Sequence, residues 1–255
     1  MKKIIQKIFN LLGYKVLKID SDHVKPNNFF FPEASEFDLN LIKKVKDFTL
    51  TDYQSIFYLI QTIKHVKRKN VVGDFVECGV WRGGNLVVFS DLIDKFELNK
   101  KIYAFDTFSG MTDPESKDTD YAGKKAADHM AEQNKTPNEK NNVHCIASLY
   151  EVRQNLNNLS PNSDRKIKYI EGPVEKTLND EKNLPEKISI LRLDTDWYSS
   201  TKKELEILYP RLVKGGVLII DDYGSWKGCK QAVDEFFENS NETFFQINKS
   251  RVIFK

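Results

Sequence analysis

Five short apolar runs, each closing on or beside an acid or a glycine, constrain this chain more than any other feature. They are VVGDFVEC (71–78), KIYAFD (101–106), KIKYIEG (166–172), ISILRLD (188–194) and VLIIDD (217–222). Between and after them stand helical patterns: GVWRGGNLVVFSDLIDKF, SLYEVRQNLNNL, VEKTLNDE, STKKELEILYPRL and GCKQAVDEFFENS. Strand and helix in alternation predict an α/β fold, a parallel sheet with helices on both faces. The closing ETFFQINKSRVIFK reads as two strands around Asn248–Ser250, a hairpin that adds an antiparallel edge. A further helix is predicted over 51–66, with Thr51 as its N-cap and Ile56, Leu59, Ile60 and Ile63 on one face.

Length agrees with one such domain: 255 residues hold no internal repeat and no linker. The charge balance is bland. Lys and Arg number 39 against 37 Asp and Glu, net +2, which argues against a dedicated nucleic-acid binder. No window approaches the roughly 20 consecutive apolar residues of a membrane span. Cys78, Cys145 and Cys229 are odd in number and far apart, which excludes a disulfide scaffold and gives no zinc spacing. A reducing, cytoplasmic setting is expected.

Two segments stand outside the alternation. Residues 1–50 comprise an amphipathic start, MKKIIQKIFNLLGYKV, and a loop-rich lead-in with Pro26, Pro32 and Phe29–Phe31. The apolar stretch is broken by Gln6, Lys7 and Asn10, so it reads as a helix docked on the domain or a partner subunit rather than a signal peptide. Basic amphipathic helices also lie on anionic membranes, the alternative reading. Residues 107–146, within the main domain of 51–255, are polar and show no period. A loop of that length in a compact domain suits a lid.

In doubly wound sheets, ligands bind beyond the carboxyl ends of the strands, so those ends come first. After strand one stands Glu77-Cys-Gly79-Val-Trp-Arg-Gly83-Gly84. Glycines there let the backbone approach a ligand and present N–H groups at a helix start. The spacing departs from G-x-G-x-x-G, which weakens a NAD reading. Strand two ends in Asp106, placed for ribose hydroxyls. Together these suit a nucleoside with an amino-acid tail, S-adenosylmethionine. Strands four and five end in Asp194-Thr-Asp196 and Asp221-Asp222, so four carboxylates run out at one sheet edge. Like charges so crowded raise one another's pKa, and a hard divalent cation such as Mg²⁺ relieves them. Alternatively, Asp196 or Ser199 caps the helix that follows.

VECGVWRGG, YAFDTFSGM, LRLDTDWYSSTKKELEILYPRL and GGVLIIDDYGSWKGCKQAVDEFF together resemble the macrocin O-methyltransferase (TylF-type) family, from about residue 50 to 240. The resemblance implies a Rossmann-like class I methyltransferase fold with a mostly parallel seven-stranded sheet. It also implies S-adenosylmethionine- and Mg²⁺-dependent methylation of a sugar hydroxyl on a natural product, nucleotide sugar or glycan. Asp194, Asp221 and Asp222 would be metal ligands and Asp196 the general base. Glu77, Gly79, Gly83 and Gly84 would hold the methionine part of the cofactor, Asp106 the ribose, and Ser148 the adenine side. A homodimer or higher oligomer is implied as well. Mg²⁺ can chelate neighbouring hydroxyls and acidify the attacking one, with Asp196 accepting the proton.

Rival readings are a metal-dependent glycosyltransferase using Asp194-Thr-Asp196 as a D-x-D, a catechol-type methyltransferase, and a binding module without activity. Among the histidines, His23 and His65 stand far from the strand ends in sequence, whereas His129 and His144 flank the lid and are candidates to reach an acceptor. Trp197, Tyr198, Tyr223 and Trp226 lie near the acids and serve either sugar stacking or the core.

Overall fold

A computed structural model of the chain describes residues 11, 31–135, 143–161 and 163–255. The expected N-terminal amphipathic helix, most of the lead-in and His23 lie outside them. The described residues divide between Asn40 and Leu41 into two units. In the first, Ser35 and Asp38 cap each other reciprocally at the start of α1 (Glu36–Val45): Ser35 N–H donates to Asp38 Oδ2 at 2.8 Å, and Asp38 N–H to Ser35 Oγ at 3.2 Å.

The second unit is built on seven strands: β1 (Asp74–Cys78), β2 (Ile102–Asp106), β3 (Ile167–Glu171), β4 (Ile188–Leu193), β5 (Leu212–Ile220), β6 (Phe245–Ile247) and β7 (Ser250–Phe254). Their order across the sheet is β3-β2-β1-β4-β5-β7-β6. β1 to β5 pair in parallel, and β7 pairs antiparallel with both β5 and β6. The expected parallel sheet with an antiparallel terminal hairpin is therefore present. The order in which successive strands are added reverses between β1 and β4, the switch point where a crevice opens.

Register puts the apolar positions in rows. Val76 lies beside Leu191, Leu191 beside Leu218, and Leu218 beside Ile253. All four are fully buried, packed with Leu205 and Leu208 of α7 (Tyr198–Leu208) and Val233 and Phe237 of α8 (Lys227–Phe237). Each such side chain stabilises the fold by roughly 1.5–3 kcal/mol. On the other face, Phe75 meets Phe89 of α3 (Gly84–Lys95) with ring centres 5.0 Å apart, and α2 (Tyr53–Arg68) packs against β4 and β5. The remaining helices are α4 (Ala126–Lys135), α5 (Leu149–Leu159) and α6 (Val174–Thr177).

Several local expectations are corrected. Asp52, not Thr51, caps α2, accepting from the N–H groups of Gln54 and Ser55. β1 starts only at Asp74, because Gly73 turns the chain at φ 99°. β5 begins earlier than expected, at Leu212. The stretch 107–146 contains α4, whose sequence AADHMAEQNK has good helix formers but no aliphatic stripe for periodicity to reveal. Neither Asp196 nor Ser199 caps α7: Trp197 is its N-cap residue and makes no side-chain cap bond.

Candidate active site

A cavity runs along the carboxyl edge of the sheet, from Gly79–Trp81 and Asp106 at one end to Asp194–Asp196, Asp221 and Lys249 at the other. At the β1–β2 end it is shaped by backbone. Asp106 Oδ2 accepts from Val80 N–H (2.7 Å) and Trp81 N–H (3.2 Å), and Oδ1 from Phe108 N–H (2.8 Å). Burial nonetheless pushes its carboxyl above the usual range, against those three bonds. Gly79 sits at φ 81°, and a Cβ there would collide with the Asp194 carbonyl oxygen. Only glycine lets the β1 turn lie so close to the end of β4.

Glu77 stands one layer beneath. It is 1% exposed, and its Oε1 accepts from Arg192 Nη1 at 2.9 Å and Asn85 Nδ2 at 3.1 Å. Its Oε2 is buried without a hydrogen-bond partner, a demand that an ammonium group would satisfy. Burial pushes Glu77 up to about 7, with Arg192 and Asn85 opposing.

At the β4–β5 end the acids gather. Asp194 N–H donates to Cys78 O and Asp221 N–H to Leu193 O, both at 2.9 Å, so the three strand ends stay level. Asp194, Asp221 and Asp222 each offer an oxygen within 4.8 Å of the others. Asp196 joins them through its backbone, donating N–H to Asp222 Oδ2 at 3.2 Å, at a strained φ of 66°. Left-handed aspartates cost energy and persist where surrounding structure holds them.

Two cations of the chain itself offset this cluster. Arg192, 1% exposed in central strand β4, donates from Nη1 to Asp194 Oδ2 (2.7 Å) and from Nη2 to Asp221 Oδ1 (2.9 Å) and Thr51 Oγ1 (3.0 Å). Lys249 Nζ lies 3.0 Å from Asp221 Oδ2. Burial opposes ionisation of Asp221, but Arg192 and Lys249 outweigh it and hold that carboxyl low. Burial pushes Asp194 up to about 7 and Asp196 up to about 6, and drives Asp222 well up with Asp196 beside it.

Residues 107–125 close over this end. Trp197 Nε1–H donates to Thr112 O at 2.9 Å, and Lys227 N–H to Thr119 O at 2.8 Å. Asp118, completely buried, accepts the Tyr198 N–H at 2.9 Å and so caps α7 from another part of the chain. Gly110, Met111, Thr112 and Cys145 line the cavity beside the acids.

The structure thus brings together Gly79, Asp106, Asp194, Asp196 and Asp221 around one cavity, with Asp222 behind them and Glu77 beneath. Three expected cofactor residues are placed elsewhere. Gly83 packs against Leu156 and Val152, Gly84 against the Phe48 carbonyl, and Ser148 caps α5 by accepting from Glu151 N–H at 3.1 Å. None of the three lines the cavity. Nor does a described histidine: His65 contacts Gly215 O, His129 pairs with Asp120 at 2.8 Å, and His144 contacts Met130 O. Trp197 is buried against Trp226 at 5.0 Å, a packing role, while Tyr198 and Tyr223 bond Glu235 and Asp234. Sequence reasoning missed Arg192, Lys249, Thr51, Asp118, and Trp81, which lines the cavity at the β1–β2 end.

A sheet of this order, with a glycine turn after β1 and acids after β2, β4 and β5, defines a class I methyltransferase fold. The macrocin-O-methyltransferase (TylF) family profile matches residues 44–255, and the chain belongs to that family. It is 34% identical over 179 residues to demethyldecarbamoylnovobiocin O-methyltransferase of Streptomyces niveus, covering 69% of this chain and 62% of that one. Mycinamicin III 3''-O-methyltransferase of Micromonospora griseorubida is 28% identical over 190 residues, 74% of this chain and 69% of the relative. The solved structure of the O-methyltransferase NovP superposes with a TM-score of 0.69 at 27% identity, covering 82% of both chains. Calicheamicin methyltransferase CalS11, at 16% identity over 86% of this chain and 93% of that one, shares the fold with a TM-score of 0.57. Family membership sets aside the D-x-D glycosyltransferase reading.

Proposed function

We propose that this protein is an S-adenosylmethionine-dependent O-methyltransferase that acts on a sugar hydroxyl and uses a divalent cation, Mg²⁺ by the chemistry of its ligands. The observation that carries it is the convergence of Asp194, Asp221 and Asp222 within 4.8 Å, in the crevice that also holds the Gly79 turn. An all-oxygen donor set of three carboxylates suits a hard cation. The cofactor end fits equally well: the unpaired Glu77 Oε2 suits an ammonium group, and the cavity wall at Gly79–Trp81 is open to a flat nucleoside. Relatives named for natural-product O-methylation support the acceptor class, one of them named for a rhamnosyl-bearing tetracenomycin.

Bound by Asp194, Asp221 and Asp222, the cation would supply Lewis-acid stabilisation of an oxygen that loses its proton. The chain's own part is to orient and to take up that proton. When bound, S-adenosylmethionine would supply the methyl group, with its sulfonium C–S bond broken as the new C–O bond is made; the hydroxyl proton would pass to a carboxylate oxygen of Asp196. Burial raises its carboxyl above the ordinary range in the metal-free chain, which makes it a better base than an exposed aspartate. Residues 107–125 act as the lid that excludes water there. No helix among the described residues is long and apolar enough to cross a membrane, in keeping with the cytoplasmic setting we propose.

A turnover screen against sugar-bearing acceptors, with and without Mg²⁺, tests this reading. Asp194→Asn and Asp221→Asn are each expected to lower turnover by at least 10²-fold while S-adenosylhomocysteine binding stays within about threefold. Full activity of either variant in EDTA would sink the metal assignment.

A further inference from the structure

The tip of the terminal hairpin is aimed at the acids. β6 and β7 are joined through Asn248 and Lys249, with Asn248 at φ 50°. The backbone of this turn is fixed on the end of β5. Gly224 N–H donates to Lys249 O at 2.8 Å, and a Cβ at Gly224 would collide with that carbonyl. The neighbours dock as well: Asn248 Nδ2 donates to Asp52 Oδ2 at 3.0 Å, and Ser250 Oγ to Asp221 Oδ1 at 3.3 Å. Between them, Lys249 Nζ lies 3.0 Å from Asp221 Oδ2 and 3.8 Å from Asp222 Oδ1, with its side chain 40% exposed.

We propose that Lys249 is a built-in counter-ion that shares Asp221 and Asp222 with the divalent cation and must withdraw for the cation to bind. The hairpin then sets the metal affinity of the site, an inference that rests on the metal reading above. An ammonium and a dication on one carboxylate pair repel each other, so one has to go. Arg192 is unable to leave: it is 1% exposed and bound to Glu77, Asp194 and Asp221 at once. Lys249 can, since its flexible stem ends at the cavity edge and its head reaches water at little cost. Without metal, its charge holds the two aspartates together; with metal, that task passes to the cation.

The test uses Mn²⁺ alone on the full, metal-free chain, counting free Mn²⁺ by electron paramagnetic resonance. Lys249→Met and Lys249→Gln are expected to bind Mn²⁺ about tenfold tighter than the parent. Lys214→Met, which removes the same charge from an exposed site at the far end of β5, stays within about twofold. Metal-free Lys249→Met also melts at a lower temperature than the parent, and saturating Mn²⁺ closes the gap. Equal or weaker Mn²⁺ binding by both Lys249 variants overturns the proposal. Absence of Mn²⁺ binding in the parent and every variant sinks the metal reading first, and this proposal with it. Should the Met variant fail to fold, the Gln variant carries the comparison.

Discussion

At the β1–β2 end of the cavity the shape is held by backbone; at the β4–β5 end it is held by charge. Asp106 fixes the first turn by gathering three N–H groups, so its geometry is independent of what else is bound. The second end balances Asp194, Asp221 and Asp222 against Arg192 and Lys249, an arrangement that any added ion must disturb. On the proposed reading, the pocket is rigid where it would receive the cofactor and responsive where it would receive the cation. The two ends touch at Gly79, against the Asp194 carbonyl, and at Arg192, which holds acids of both.

The strongest blow to this contrast is Arg192→Met. It strands Glu77, Asp194 and Asp221 without their shared partner, at an expected cost of roughly 3–5 kcal/mol. Thermal unfolding should show a fall on the order of 10 °C, and a shift below 2 °C would mean that charge does not hold this end.

Next comes Glu77→Gln, read against pH. Glu77 stands at about 7 in the folded chain against an ordinary 4.5, so between those values the folded state keeps a proton that the unfolded state releases. Its contribution to stability is full below pH 4.5 and falls as pH rises towards 7. The cofactor-free parent should thus lose roughly 3 kcal/mol across that window through this group, and the Gln variant should flatten the slope of melting temperature against pH.

Smallest is Ser148→Ala. If Ser148 caps α5 and nothing more, stability falls by about 1 kcal/mol and cofactor affinity stays constant by calorimetry. A tenfold loss of affinity would restore it to the cofactor end.

These residues also show what was legible in the sequence. The alternation of strand and helix places the carboxyl ends of β1 to β5 at one edge, so Asp106, Asp194 and Asp221 could be found without coordinates. Arg192 could not, because its partners are fixed by register: Glu77 stands directly beside it on β1, and Asp221 follows the end of β5. One signal was available, a charged residue within ISILRL, a strand buried on both faces, which calls for a buried partner. Lys249 depended on the antiparallel return of β7, and the acids seemed to lack counter-charge only while that pairing was unseen. Ser148 is the converse case: its hydroxyl makes a local cap bond at the start of α5, which the motif position alone did not announce.

The cap on α7 has a bearing on how the molecule assembles. The acceptor for the Tyr198 amide is Asp118, 80 positions earlier in the chain, and not a neighbour in sequence. The first turn of α7 is consequently finished only after residues 107–125 have wrapped across the completed strand ends, a late, long-range closure. Deuterium uptake at that single amide keeps time for the segment above it, rising whenever the cover lifts and the sheet beneath stays folded.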